Sequence, residues 1–115
     1  MSVNVNVRKI GTMLVAEVHG DLDMVSGAKL KESADKMWDH YETLNCFVLD
    51  LSNVGFNDST GLGAILGRYK KVNARNGTMI IVGAKGSVKD DLEISGISRL
   101  CSFKESLKEV APAQE

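Results

Sequence analysis

Residues 58–68 read DSTGLGAILGR and join a short apolar run to an amphipathic helix, with a hydroxyl at the joint. The run before them, residues 44–51, reads LNCFVLDL, and its β-forming composition predicts a strand buried on both faces of a parallel sheet. After the joint, apolar residues recur at helical spacing and predict a helix over residues 59–76. Asp58 or Ser59 can cap its first turn. We therefore expect the functional centre at this joint.

The face of this helix opposite its apolar stripe carries small residues at spacing i, i+3, i+4 and i+7, namely Thr60, Gly63, Ala64 and Gly67. A glycine inside a helix costs about 1 kcal/mol relative to alanine. A solvated face would normally carry Glu, Lys or Gln, so the pattern indicates that something packs close to this backbone. Two interpretations remain open: a neighbouring helix of the same domain, or a docking surface for another protein with Ser59 at its edge.

Composition and charge bound the class of protein. The chain has 115 residues, of which 43% are hydrophobic and 25% charged, and a net charge of −1, which is typical of one soluble globular domain. It has no long basic run and no apolar stretch near the roughly 20 residues of a membrane span, and its N-terminus lacks the basic and apolar regions typical of a signal peptide. We expect a cytoplasmic protein without nucleic-acid or membrane partners. Cys46 and Cys101 form neither a CxxC pair nor a metal cluster with His19 and His40, so we expect buried reduced thiols and no cofactor.

Hydrophobic periodicity along the rest of the chain predicts the element order β-β-α-β-α-β-α-β-α. The predicted strands cover residues 3–7, 13–19, 44–51, 78–83 and 99–103. The predicted helices cover residues 25–42, 59–76, a short segment ending near 95, and 105–111. This order predicts an α/β fold in which about four helices cover a mainly parallel sheet that begins with a hairpin. We predict one domain at residues 1–111, followed by a short tail at 112–115.

Acidic residues follow two of the predicted strands. Asp21 and Asp23 come directly after the second strand, and the third strand leads into Asp58 and Ser59. Binding sites in parallel sheets form where strands hand over to loops at their carboxyl ends. If the two strands are parallel neighbours, Ser59 lies on a rim that also carries these acidic side chains.

A serine beside a glycine-rich helix start is compatible with several chemistries. A hydrolase would need the G-x-S-x-G pattern and a positioned base, and a nucleotide-binding loop would need the Walker or G-x-G-x-x-G spacing; the residues around Ser59 fit neither. A phosphate acceptor fits better, because a helix N-terminus favours an anion and a phosphoryl group adds about two negative charges to the rim. A capping role for Ser59, worth about 1 kcal/mol, is compatible with that switch.

Several motifs together resemble the STAS-domain anti-sigma factor antagonists. They are DLS at residues 50–52, FNDSTGLG at 56–63, LGRYK at 66–70, the first-loop motif GDLD at 20–23, and the late turn ISGI at 94–97. The similarity covers almost the whole chain, and the spacing of its motifs is specific. It implies a STAS fold and a regulatory protein that is not an enzyme.

The resemblance also implies a partner-switching mechanism. The unphosphorylated protein would bind a cognate anti-sigma factor and so free a sigma factor for transcription. In the sporulation and stress-response members the anti-sigma factor is also a Ser/Thr kinase that phosphorylates the position of Ser59, and a metal-dependent phosphatase reverses the reaction. Asp23 falls on the family position beside the acceptor. The partner-binding surface implied is Asp21, Asp23, Asn57, Asp58, Ser59, Thr60, Gly63, Ala64 and Gly67.

Two positions depart from the family pattern. Asn57 stands where close relatives often carry an apolar residue, and Thr60 replaces a common serine and supplies a second hydroxyl. A structural STAS module, either a stressosome-like scaffold subunit or an accessory subunit of a lipid-transport complex, remains the alternative. The intact pair of Asp58 and Ser59 favours the switch.

Overall fold

Within residues 4–110, which the computed structural model describes, five strands form one sheet and follow one another across it in chain order. They are β1 (Asn4–Ile10), β2 (Met13–His19), β3 (Cys46–Asn53), β4 (Thr78–Val82) and β5 (Ser102–Lys104). β1 pairs antiparallel with β2, and every later neighbour is parallel. The predicted α/β fold, with an N-terminal hairpin on a mainly parallel sheet, is therefore confirmed.

The number of helices differs slightly from the prediction. Residues 4–110 contain α1 (Met24–His40), α2 (Ser59–Ala74) and α3 (Gly86–Ile94). The predicted helix at residues 105–111 is instead a short 3₁₀ turn at Leu107–Glu109, and the last residue of that range lies outside the described residues, as do the predicted tail and the start of the first predicted strand. A 3₁₀ turn brings residues three apart onto one side. Leu107 and Val110 thereby both reach the sheet.

The last strand also begins later than predicted. The predicted strand includes Arg99, but this residue belongs to a 3₁₀ turn at Ile97–Arg99 that follows α3. Gly96 starts this turn in the left-handed region at φ 87°, a conformation that glycine adopts without a steric penalty. The chain therefore reverses before it enters β5, which keeps only three residues, Ser102–Lys104.

The sheet is buried on both faces by different parts of the chain. Side chains of all three helices join one core cluster with alternate strand residues, among them Leu30, Ile65 and Leu92 with Phe47. The opposite face forms a second, smaller cluster, which consists of Met13, Val15, Cys46, Val48, Val82 and Val110 with Leu107 beside it. The apolar run in β3 is continuous because successive residues point alternately into the two clusters, so both faces of the strand are buried.

The parallel pairing of β2 and β3 positions the loops that follow them. The two strands end side by side, with His19 opposite Asn53. Beyond the strands, the amide of Leu22 donates to the carbonyl of Phe56 at 2.9 Å, and the amide of Asp58 donates to the carbonyl of Leu22 at 3.2 Å. The loop after β2 and the start of α2 are thus held together by backbone hydrogen bonds.

Candidate functional site

Asp58 is the N-cap of α2, and its carboxylate organises the first turn of that helix. Its Oδ1 accepts a hydrogen bond from the amide of Gly61 at 2.9 Å and another from the hydroxyl of Thr60 at 2.6 Å. These donors favour the charged carboxylate, so the pKa of Asp58 lies below its ordinary value, with the Thr60 hydroxyl as the largest cause. Of the two residues predicted as possible caps, Asp58 takes the role.

Ser59 is the first residue of α2 and is exposed to solvent. Its hydroxyl makes no hydrogen bond with any other part of residues 4–110, whereas the neighbouring hydroxyl of Thr60 is engaged by Asp58. The two adjacent hydroxyls are therefore chemically different. Ser59 presents an exposed hydroxyl at the positive end of a helix dipole.

The loop after β2 carries the two acidic residues predicted for the rim. Asp23 caps α1 through Oδ1, which accepts from the amides of Val25 and Ser26 at 3.1 and 3.2 Å. Ser26 accepts from the amide of Asp23 at 2.9 Å in return, and its hydroxyl donates to the carbonyl of Asp21 at 2.7 Å. The carboxylate of Asp23 therefore has a structural task as well as its predicted place near the acceptor, while Asp21 is exposed.

The sequence analysis did not identify the capping role of Ser26 at the start of α1. Ser26 forms a capping box with Asp23, and the sequence signal for it is a short polar residue three positions after an Asp. The pair fixes the loop that lies against the start of α2. The acidic rim predicted from topology thus exists, with Asp21 and Asp23 on the loop that contacts Asp58 through Leu22.

Asn57 differs from its predicted place in a docking surface. Its side chain is only 3% exposed, and neither atom of its amide group has a hydrogen-bond partner within residues 4–110. The parallel bridge between Asn57 and Leu22 turns this side chain away from solvent. The structure therefore places Asn57 beneath the surface that Asp58 and Ser59 expose, and direct contact with a partner would require this segment to move.

The small residues of α2 do not all play the same role: one packs against a neighbouring helix of the domain, and two face solvent, where a partner could dock. Ala64 faces α1, because a Cβ built on Gly27 would lie 3.2 Å from the Cβ of Ala64. Gly63 and Gly67 face open space: a Cβ on either would meet no atom of the described residues within 4 Å. Ala64 is thus part of the contact between two helices of the domain, and the two glycines remain available to a partner.

Exposed apolar side chains flank the acidic rim along the chain, and sequence reasoning did not identify them. Phe56 is 53% exposed directly before the Asn57 segment, and Met24 and Val25 are 70% and 56% exposed at the start of α1. Their positions beside the Leu22 loop could have been noticed as apolar residues in otherwise polar loops. Large apolar side chains beside charged ones are typical of a surface that binds another protein.

An ion pair joins α1 to the C-terminal half of α2. Arg68 of α2 is only 6% exposed, and its Nε lies 2.9 Å from Oδ1 of Asp35. Burial lowers the pKa of Arg68, and the negative charge of Asp35 opposes that effect. Lys71 extends the network to Asp39 at 2.8 Å. These pairs link α1 to the C-terminal half of α2.

Within residues 4–110 no group of three or more His, Cys, Asp and Glu side chains is arranged to hold a metal ion. The same residues include no helix with the length and hydrophobicity to cross a membrane. Of the two thiols, Cys46 is buried as predicted, whereas Cys101 is only half-buried. Burial raises the pKa of both, that of Cys101 to about 11.

The fold and the site together define a known class of protein. The profile of the family described as "STAS domain" matches residues 4–110, and the chain belongs to this family. Among curated relatives, it is 29% identical over 100 residues to the anti-sigma F factor antagonist of Paenibacillus polymyxa, covering 87% of this chain and 85% of the relative. It is 30% identical over 89 residues to the anti-sigma-B factor antagonist of Listeria monocytogenes, covering 76% and 75%.

Solved structures agree on the fold. An anti-sigma factor antagonist from Mycobacterium paratuberculosis superposes with a TM-score of 0.83 at 22% identity, over 97% of this chain and 93% of that one. The Bacillus cell fate determinant SpoIIAA in its phosphorylated form superposes with a TM-score of 0.79 at 16% identity, over 97% and 100%. At these identities the structures establish the shared architecture, and the curated relatives indicate the branch of the family.

Proposed function

We propose that this protein is an anti-sigma factor antagonist whose binding to its anti-sigma factor is switched off by phosphorylation of Ser59. The observation that carries the proposal is the free, exposed hydroxyl of Ser59 at the N-terminus of α2, directly beside a hydroxyl that is already engaged. The antagonist names of the curated relatives support the choice of partner. The protein acts by binding, and the chemistry of the switch belongs to its partners.

The proposed reaction transfers the terminal phosphoryl group of ATP to Ser59. The Ser59 oxygen forms a bond to the γ-phosphorus while the bond from that phosphorus to the bridging oxygen of ADP breaks, and the hydroxyl proton passes to a base of the kinase. The kinase is the anti-sigma factor itself, acting in the cytoplasm. A metal-dependent Ser/Thr phosphatase hydrolyses the phosphoserine and restores the binding form.

The surroundings of Ser59 suit a reversible local switch. A phosphate at a helix N-terminus is stabilised by typically 0.3–1 kcal/mol, so the fold has no reason to rearrange. The same group adds about two negative charges beside Asp21, Asp23 and Asp58. A partner that complements the acidic rim would then meet excess charge and a bulky hydrated group, which costs several kcal/mol if it must be desolvated.

The docking surface we propose combines charge, apolar area and an accessible helix backbone. Asp21 and Asp58 supply charge at the rim, and the exposed Phe56, on the segment that leads into α2, supplies apolar surface. Gly63 and Gly67 leave the backbone of α2 open on the same helix. A partner can therefore approach α2 closely along these glycines while it contacts Ser59.

The proposal is tested by titrating the cognate anti-sigma factor with wild-type protein, Ser59→Ala and Ser59→Asp by calorimetry. Ser59→Ala should bind like wild type and resist inactivation by kinase and ATP, whereas Ser59→Asp should bind at least tenfold more weakly, a loss of about 1.4 kcal/mol. Ser87→Asp is a matched control, because Ser87 is also exposed in the first turn of a helix, α3. It should leave binding unchanged.

Two results would contradict the proposal. One is wild-type affinity of the phosphorylated protein for the anti-sigma factor. The other is no binding by any form together with assembly of the protein into a large complex, which is what a structural STAS module would do. Amide chemical shifts supply a further check: changes on phosphorylation should cluster around Ser59, Asp23 and the first turns of α2 and should not spread through the sheet.

A further inference from the structure

The first turn of α2 contains a short side-chain hydrogen bond that the proposed switch does not by itself require. The hydroxyl of Thr60 donates to Oδ1 of Asp58 at 2.6 Å, and the same oxygen accepts the amide of Gly61 at 2.9 Å. We propose that Thr60 is a positioning residue for the phosphorylation site, which holds the Asp58 carboxylate in one orientation and leaves Ser59 as the free one of the two adjacent hydroxyls. This inference rests on the proposed function.

The hydroxyl of Thr60 restricts the orientation of the Asp58 carboxylate. Asp58 and Thr60 both lie at the surface, where a carboxylate held by a single amide could rotate among several orientations. A second donor, at a distance typical of a strong charge-assisted bond, removes much of that freedom. The lowered pKa of Asp58, for which the Thr60 hydroxyl is the largest cause, agrees with this geometry. A carboxylate fixed before the partner arrives loses less conformational entropy on docking.

The same hydrogen bond makes the two adjacent hydroxyls, those of Ser59 and Thr60, unequal as phosphate acceptors. A kinase acceptor must direct its oxygen at the γ-phosphorus and release its proton to a base of the kinase. The proton of Thr60 is already donated to Asp58, so this hydroxyl would have to break a charge-assisted bond before it could react. The hydroxyl of Ser59 breaks no such bond. The difference favours transfer to Ser59 even though both residues are exposed.

The test compares Thr60→Val, which removes the hydroxyl and keeps the shape, with Thr60→Ser, which keeps the hydroxyl. NMR titration of the free protein should show the pKa of Asp58 rising toward its ordinary value in Thr60→Val and staying low in Thr60→Ser. With the cognate kinase and ATP, kcat/KM for Ser59 should fall about threefold to tenfold in Thr60→Val, the loss of one hydrogen bond, and recover in Thr60→Ser. Phosphopeptide mapping of Ser59→Ala should find no label on Thr60.

Each other result overturns the positioning role. An unchanged pKa of Asp58 in Thr60→Val would mean that the hydrogen bond is not held in solution. A raised pKa with unchanged phosphorylation kinetics would leave Thr60 a purely structural residue, and equal losses in Thr60→Val and Thr60→Ser would show that the effect is not specific to the hydroxyl. Label on Thr60 in Ser59→Ala would show that the bond does not select the acceptor. Failure of the cognate kinase to phosphorylate wild type would instead refute the proposed function, and the titration would remain interpretable.

Discussion

Gly61 of α2 lies so close to Leu22 that it has no room for a side chain. A Cβ on Gly61 would stand 2.3 Å from the carbonyl oxygen of Leu22 and 2.9 Å from its carbonyl carbon, and both are backbone atoms that cannot move aside easily. The same carbonyl accepts the amide of Asp58. The contact therefore determines how closely the start of α2 approaches the loop that carries Asp21 and Asp23.

The two glycines at the start of α2 should respond in opposite ways to the same substitution. Gly61→Ala should lower the free energy of unfolding by about 2 kcal/mol or more, because the new methyl group forces the helix away from Leu22. Gly63→Ala should raise it by up to about 1 kcal/mol, because a helical glycine is replaced where no described atom lies within 4 Å. Urea unfolding of both variants measures the difference. Equal effects would mean that the contact with Leu22 is not tight.

Binding should separate from stability at Gly63 and Gly67. Replacing either by alanine should leave the domain at least as stable as wild type, yet weaken the complex with the anti-sigma factor if the partner approaches the α2 backbone there. Calorimetric titration measures the affinity, and thermal unfolding supplies the stability control. Wild-type affinity in both variants would exclude these glycines from the docking surface.

The buried ion pair between Asp35 and Arg68 should contribute far more to the free energy of unfolding than the exposed pair between Asp39 and Lys71. Asp35→Asn should destabilise the domain by about 3 kcal/mol, because it leaves the charge of the buried Arg68 without its partner. Asp39→Asn is the matched control: Asp39 is 62% exposed and bonds Lys71 at the surface, so its loss should cost less than about 1 kcal/mol. Chemical denaturation distinguishes the two, and similar losses would contradict the burial argument.

Asn57→Leu should stabilise the protein, since leucine has nearly the same shape and lacks the two amide atoms that find no partner within residues 4–110. A buried unsatisfied polar group costs about 1–3 kcal/mol, so a gain of about 1 kcal/mol or more is expected. The exposed Asn53→Leu should change the free energy of unfolding by less than about 0.5 kcal/mol. A destabilised Asn57→Leu protein would indicate that a buried water satisfies the amide.

The stability contributed by Asp58 should depend on pH. Its pKa is lower in the folded protein than in the unfolded chain, so its contribution is fully present above the unfolded value and is lost as the pH falls through the folded value. The difference in Tm between wild type and Asp58→Asn should therefore be constant near neutral pH and shrink below about pH 4. A difference that stays constant in acid would show that the charge of Asp58 does not contribute.

The chain by itself determined the parts of this protein that depend on local patterns. A short apolar run rich in β-forming residues predicts a strand buried on both faces, and periodicity at 3.6 residues predicts α2, because each pattern follows from the geometry of one element. The Asp cap before Ser59 follows in the same way from the unpaired amides of a helix start. These features placed Ser59 correctly at the exposed start of α2.

Only the tertiary structure decided which side of each element meets which neighbour. Ala64 and Gly63 are adjacent small residues in α2, yet one packs against Gly27 and the other faces open space, because α1 covers only one side of the helix. Arg68 is buried because Asp35 happens to stand opposite it, and Asn57 points inward because Leu22 pairs with its backbone. Such contacts join residues far apart in the chain, so their energies depend on packing that no local pattern encodes.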